Sequence, residues 1–118
     1  MQNRKLVIGY IGNGKSTNRY HLPFVLNRPD TIRVKMIYQR NLAKQDWARI
    51  AGVEYTDDLE KILHDPEIDV LVVTTATAAH YPLAKKVLEA GKNCVVEKPF
   101  ATSAEEAAEL FQLARETR

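Results

Sequence analysis

The 118 residues suit one domain large enough to bury a core, and 45% apolar with 27% charged residues is the balance of a soluble globular chain. A formal net charge of +2 excludes the dense positive field that a nucleic-acid or anionic-membrane partner demands. No apolar run approaches the roughly 20 residues of a membrane helix, and a lone cysteine, Cys94, has no disulfide partner within the chain, as expected in a reducing cytoplasm.

The basic start, Met1 to Lys5, leads into Leu6-Val7-Ile8 and Tyr10-Ile11, which Gly12-Asn13-Gly14-Lys15 soon interrupts. That run predicts a first strand and not a signal peptide. A helix is expected from near Ser16, with His21 as a packing or helix-end residue. Ile32 to Tyr38 predicts a second strand, Trp47 a core aromatic, and Val53-Glu54-Tyr55 a weak strand. Leu59, Ile62 and Leu63 share a helical face, with Thr56 and Asp57 as candidate caps. Val70-Leu71-Val72-Val73 is apolar throughout, as a strand covered on both faces must be. Pro82 suits the first turn of a helix through Leu83, Val87 and Leu88 that stops at Gly91. Cys94-Val95-Val96 is one more short strand, its thiol expected in the core. Ser103-Ala104-Glu105-Glu106 is a capping box that opens a helix with Ala107, Leu110, Phe111 and Ala114 inside. The basic residues of its end read as a solvated face.

Strand and helix alternate, which predicts an α/β fold: a doubly wound parallel sheet between two helix layers, with right-handed crossovers. In such sheets ligands lie at the carboxyl ends of the strands, and Gly12, Thr75 and Glu97 all fall at such ends. Gly12-x-Gly14 provides a tight turn and a close approach for a pyrophosphate, with Thr17 where a third glycine often stands. The helix behind it aims its first amides at the phosphates. A rival pattern overlaps it. Gly9 to Ser16 reads G-x-x-x-x-G-K-S, in which Lys15 would hold the β- and γ-phosphates of a nucleoside triphosphate and Ser16 a magnesium ion. Against that reading, Tyr10 and Ile11 continue the strand, and Thr74-Thr75 offer no aspartate for the metal.

Three further motifs lie at matching spacing: His21-Leu22-Pro23, then Val72 to His80, then Leu88-Glu89-Ala90-Gly91-Lys92 with Glu97-Lys98-Pro99. With the glycine turn, they resemble the N-terminal, dinucleotide-binding half of the Gfo/Idh/MocA oxidoreductases over nearly the whole chain. Ala76 and Thr77 depart from the Pro-Asn common there, and Thr17 from the glycine.

The resemblance implies a Rossmann-type NAD(P)-binding domain over residues 1–118. A C-terminal α/β substrate domain of the family would lie outside the chain, and a further strand is expected after Arg118. It implies hydride transfer to or from a sugar, cyclitol or small polyol. Lys98 would be the catalytic cation, oriented by Glu97, with Pro99 fixing the turn. Gly12, Gly14, Lys15, Ser16, Gln39, Arg40, Thr75, His80, Glu97, Lys98 and Pro99 would line the cofactor site, His80 either in the cleft or capping a helix. Gln39-Arg40 stands where NAD-selective relatives carry an acid, so NADP is expected over NAD. No metal, nucleic acid or membrane is expected, and a homo-oligomer is. A sensor that keeps the fold without the chemistry is the other reading of the same motifs.

Overall fold

A computed structural model describes residues 5–14, 16–43, 45–75, 77–96 and 104–116. Five strands form one sheet: β1 (Leu6–Ile11), β2 (Ile32–Tyr38), β3 (Glu54–Thr56), β4 (Val70–Val73) and β5 (Asn93–Val96), in the order β3-β2-β1-β4-β5. Every pair is parallel, with Ile8 opposite Val70 and Ile11 opposite Val73, and β1 and β2 slip register between Ile8 and Gly9. A π-helical turn, Ser16–His21, runs into α1 (Leu22–Val25). The remaining helices are α2 (Leu59–Leu63), α3 (Thr77–Glu89) and α4 (Ala104–Glu116).

The alternation of side chains along β1 sorts the core. Val7 and Ile11 point with Met36, Leu71 and Val73 into a cluster closed by Ile62 and Leu63 of α2 and Val87 of α3. Ile8 and Tyr10 point the other way, with Val34, Ile37 and Val72, beneath Leu22 of α1. A sheet covered on both faces explains the unbroken apolar run of β4. Among the described residues no helix is long and apolar enough to cross a membrane.

Three local expectations are corrected. The cap of α2 is Asp58, whose carboxylate accepts from the Glu60 amide at 3.1 Å, while Thr56 Oγ1 accepts from the Asp58 amide. Thr56 and Asp57 come too early because the chain leaves β3 only after Thr56. Helix α3 starts at Thr77, so Pro82 lies inside it and not in its first turn. Its buried face runs His80, Ala84, Val87, at i, i+4 and i+7, so a buried histidine extends the helix one turn before the proline. Phe111, expected inside, is 58% exposed at the rim of an apolar groove between α3, β5 and α4. The end of α3 is as expected: Gly91 and Lys92 amides bond the Leu88 and Val87 carbonyls. Ser103, the cap of the expected box, lies outside the described residues.

The amino ends of the strands are tied by charge. The Lys35 ammonium lies 2.6 Å from Asp65 and 2.6 Å from Glu67, and Lys92 donates to the Asp65 and Ile68 carbonyls. Burial pushes the Asp65 carboxyl up, but the bonds from Lys35 and the Glu67 amide outweigh it and leave it below its ordinary 3.8. Because the folded carboxyl is the stronger acid, its stabilisation is present above 3.8 and lost as pH falls below that value. Asp65→Asn is therefore expected to lower the melting temperature at neutral pH. Melts at a series of pH values should show the two proteins converging below pH 3.8.

Candidate functional site

A cleft of about 550 Å³ opens over the carboxyl ends of β1, β2 and β4. Its floor is the Gly12-Asn13-Gly14 turn. Gln39 and Arg40 border it at the end of β2, Thr74 and Thr75 at the end of β4, and Ala79, Pro82 and Leu83 of α3 close the side. A recess of about 300 Å³ shares Asn13, Gly14, Gln39 and Arg40 with the cleft and continues to Asn41, Asp46 and Trp47.

The two glycines of the turn serve different ends. Gly12 has φ +131° and donates to the Tyr38 carbonyl at 3.0 Å. A Cβ on Gly12 would lie 2.6 Å from Thr74 Oγ1 and within 3.2 Å of the Thr74–Thr75 backbone. Gly12 is thus required by the neighbouring strand end and by its backbone angle, not by a ligand's approach. At Gly14 a Cβ would meet nothing within 4 Å. That space over the turn is where a bound phosphate can come close to the backbone.

Two polar residues hold the turn, and sequence reasoning missed both roles. Thr17 is fully buried; its hydroxyl donates to the Gly12 carbonyl at 2.8 Å and lies 2.6 Å from Thr74 Oγ1. A hydroxyl has one proton to give, so Thr74 is the donor in the second bond. Asn18 donates through Nδ2 to Asn13 Oδ1 and to the Gly14 carbonyl, both at 2.8 Å. Asn13 in turn donates to Gln39 Oε1 at 3.1 Å, which links the turn to the end of β2. The visible signal was a threonine in a glycine's place. Its smallness was legible, its hydroxyl's target was not. The helix behind the turn opens at Ser16 as expected, but in π-helical form, a form frequent at functional sites.

At the other wall, Thr75 Oγ1 is buried and has no hydrogen-bond partner among the described residues. A buried hydroxyl left without a partner is costly, and at a cleft wall such a group is able to bond a ligand's polar atom. His80 is 2% exposed, with Nε2 2.7 Å from the Thr75 carbonyl. A carbonyl only accepts, so Nε2 carries the proton, and the imidazole braces the strand end from behind the cleft. His21 packs edge-on against Tyr10, with ring centroids 5.6 Å apart. Cys94 is half-buried, and burial pushes its thiol up to about 12, so it is no nucleophile at neutral pH. Trp47, expected in the core, is half-buried at the recess and carries the Arg19 guanidinium over its ring at 5.5 Å.

Lys15, Glu97, Lys98 and Pro99 lie outside the described residues. The triphosphate-loop reading is overturned at its first residue. Gly9 is inside β1, paired with Leu71 and Met36, where a Cβ would lie 2.8 Å from Leu71 Cδ2 and 3.1 Å from Ile68 Cδ1. The loop of that pattern must leave the sheet at Gly9, whereas this chain leaves it after Ile11. Among the described residues no group of His, Cys, Asp and Glu could hold a metal ion.

The family model described as "Oxidoreductase family, NAD-binding Rossmann fold" (Gfo/Idh/MocA) matches residues 6–118. The chain is 47% identical over 107 residues to the uncharacterized oxidoreductase YhhX of Escherichia coli, covering 90% of this chain and 31% of that protein. A crystal structure of a probable oxidoreductase yhhX superposes with a TM-score of 0.90 at 44% identity, covering 95% of this chain and 33% of the other. The scyllo-inositol 2-dehydrogenase (NADP(+)) IolW of Bacillus subtilis is 32% identical over 111 residues, 92% of this chain and 30% of that one. KijD10, a 3-ketoreductase from Actinomadura kijaniata in complex with NADP and TDP-benzene, has a TM-score of 0.87 at 26% identity, over 97% and 35% of the two chains. The chain thus spans about a third of the length of the curated relatives it matches.

The two glycines are expected to separate by stability. Gly12→Ala should cost about 2 kcal/mol or more, since it strains the backbone and meets the β4 end. Gly14→Ala should leave the melting temperature unchanged. Thr17→Val keeps the volume but leaves the Gly12 carbonyl and the Thr74 hydroxyl with only a long contact at 3.4 Å between them, at about 1 kcal/mol or more. Denaturant unfolding of the three variants checks all of these, and an unaffected Thr17→Val would show that the hydroxyl pair contributes nothing.

Proposed function

The chain belongs to the Gfo/Idh/MocA oxidoreductase family with its NAD-binding Rossmann fold, and from that premise we propose that it forms the cofactor-binding part of an NAD(P)-dependent oxidoreductase acting on a sugar, cyclitol or small polyol. The observation that carries the reading is the open space at Gly14, above a turn that Thr17 and Asn18 hold rigid at the strand ends. It is the space a pyrophosphate needs, and it lies within residues 6–118, which the family model matches.

The residues divide the ligand between them. The backbone at Gly12, Gly14 and Ser16 receives the pyrophosphate, with Lys15 beside it. Gln39 and Arg40 meet the ribose next to the adenine. Thr75 offers its buried hydroxyl to the nicotinamide half, and His80 keeps that wall in place. When bound, the cofactor supplies a hydride acceptor or donor at C4 of its nicotinamide. Lys98 places a cation at the substrate oxygen and stabilises negative charge there while a second group takes the proton. Glu97 orients that ammonium, and Pro99 sets the chain direction behind it. The second group and the substrate walls come from a C-terminal α/β domain, for which the longer relatives have room. Self-association in the cytoplasm belongs to the same reading, supported by Val95 of β5 at 50% and Phe111 of α4 at 58% exposure.

The preferred cofactor is NADP. Arg40 stands exposed on the rim shared by the cleft and the recess, a fork suited to a 2′-phosphate, and Gln39 beside it carries no charge to repel one. The relatives named for NADP or crystallised with it agree with this choice. Calorimetry should find NADPH bound more tightly than NADH, and Arg40→Ala should remove most of the difference, about tenfold or more. Equal affinities in low salt would contradict the role of Arg40. Gly14→Val should abolish binding of both nucleotides while circular dichroism stays that of the parent. Unchanged NADPH affinity in that variant would show that the pyrophosphate lies elsewhere.

A further inference from the structure

We propose that Trp47 is the wall on which the purine end of the dinucleotide rests, which makes it a positioning residue for the cofactor. The proposal rests on the cofactor reading above. It starts from the shape of the site. The cleft and the recess share the Asn13–Gly14 turn and the Gln39–Arg40 strand end, so a ligand with phosphates on the turn must extend two ways. One arm runs along Thr75 and α3. The other crosses the end of β2 and enters the recess, where Trp47 stands.

The indole is not there for want of a core. It is absent from both buried apolar clusters, and it borders a second hollow against α1, so it stands as a partition between two spaces. Arg19, one turn along from the glycines, places its guanidinium 5.5 Å from the ring centroid and steadies the indole. The segment carrying it is anchored on both sides. Asn41 Oδ1 accepts from the Ala43 amide, Arg49 donates to the Leu42 carbonyl, and the Ile50 amide donates to the Tyr55 hydroxyl. Arg49 also lies over the Tyr55 ring at 4.9 Å. A wall built this way meets a ligand without having to be ordered first.

Charge tells which part of the ligand enters. Arg40 lines both spaces, whereas Asp46 lines the recess alone. A phosphate is held at the shared rim by the cation, and the part of the ligand that goes further in meets the face of the indole. An aromatic base fits that flat apolar surface. Aromatic side chains stack such bases readily because every base offers a π face.

Trp47 is the chain's single tryptophan, so its emission reports on the recess without labelling. The experiment titrates the protein with adenosine 2′,5′-bisphosphate, which has the purine and no nicotinamide, and in parallel with nicotinamide mononucleotide. The bisphosphate is expected to quench the indole and the mononucleotide to leave it unchanged. By calorimetry, Trp47→Ala should weaken the bisphosphate and NADPH alike by about tenfold or more, with Trp47→Phe retaining most of the affinity. If the bisphosphate binds calorimetrically while the emission stays the same, or if Trp47→Ala binds NADPH like the parent, the Trp47 wall is refuted and the cofactor cleft stands. If neither NADPH nor the bisphosphate binds the parent protein, the cofactor reading falls and takes the wall with it. The emission measurement uses the unaltered protein, so it decides the matter even where Trp47→Ala does not fold.

Discussion

Where the chain leaves β1 it must turn within a space already occupied by the end of β4. Gly12 passes because it has no Cβ, and the same crowding brings Thr17 and Thr74 within 2.6 Å of each other. Those hydroxyls are out of water, so each must find a partner in the protein, and together with the Gly12 carbonyl they do. The end of β1, the helical turn just after it and the end of β4, 57 positions further on, are thereby held at one point. A turn fixed in this way keeps its backbone amides aimed before any ligand arrives.

The sheet explains why that point faces a cleft. From β1 the chain steps outward to β2 and β3, then returns to the other side of β1 for β4 and β5. The direction reverses beside β1, and the helices that follow lie on opposite faces, α1 on one and α2 and α3 on the other. Between them the strand ends are left uncovered. Burial of both faces stabilises the sheet, and the same arrangement leaves its carboxyl edge open. Charge pairing around Lys35, Asp65 and Lys92 sits at the opposite edge, where it fastens strand starts without touching the cleft.

Along the cleft, polar groups are tied inward or left facing the space according to position. Asn13 and Asn18 bond each other and the turn, and Asn13 donates to Gln39 Oε1, which fixes that amide at the edge of the cleft. Thr75 keeps a buried hydroxyl without a partner among the described residues, and Arg40 stays at the rim. The site therefore couples a rigid floor to a small number of polar groups available for recognition, the usual division in a small-molecule site.

Much of this was legible in the residues themselves. Ile32–Tyr38 and Val70–Val73 stand where their apolar runs place them, and the glycine turn and the ends of β2 and β4 converge on one crevice. Such features depend on near neighbours: a strand shows in its own apolar run, and a tight turn in its own glycines. What only the tertiary structure decided concerns partners chosen at a distance. Thr17 reads as a small residue until it meets Thr74, 57 positions away, and Pro82 reads as a helix start until His80 is buried ahead of it. Phe111 reads as core by its spacing, yet spacing states which residues share a face and not whether anything covers that face. Trp47 likewise became a partition and not a core residue because the chain around it folds against Arg19 and the end of β2. A polar or aromatic side chain is satisfied by whatever the fold brings to it, and the linear order of residues does not specify that neighbour.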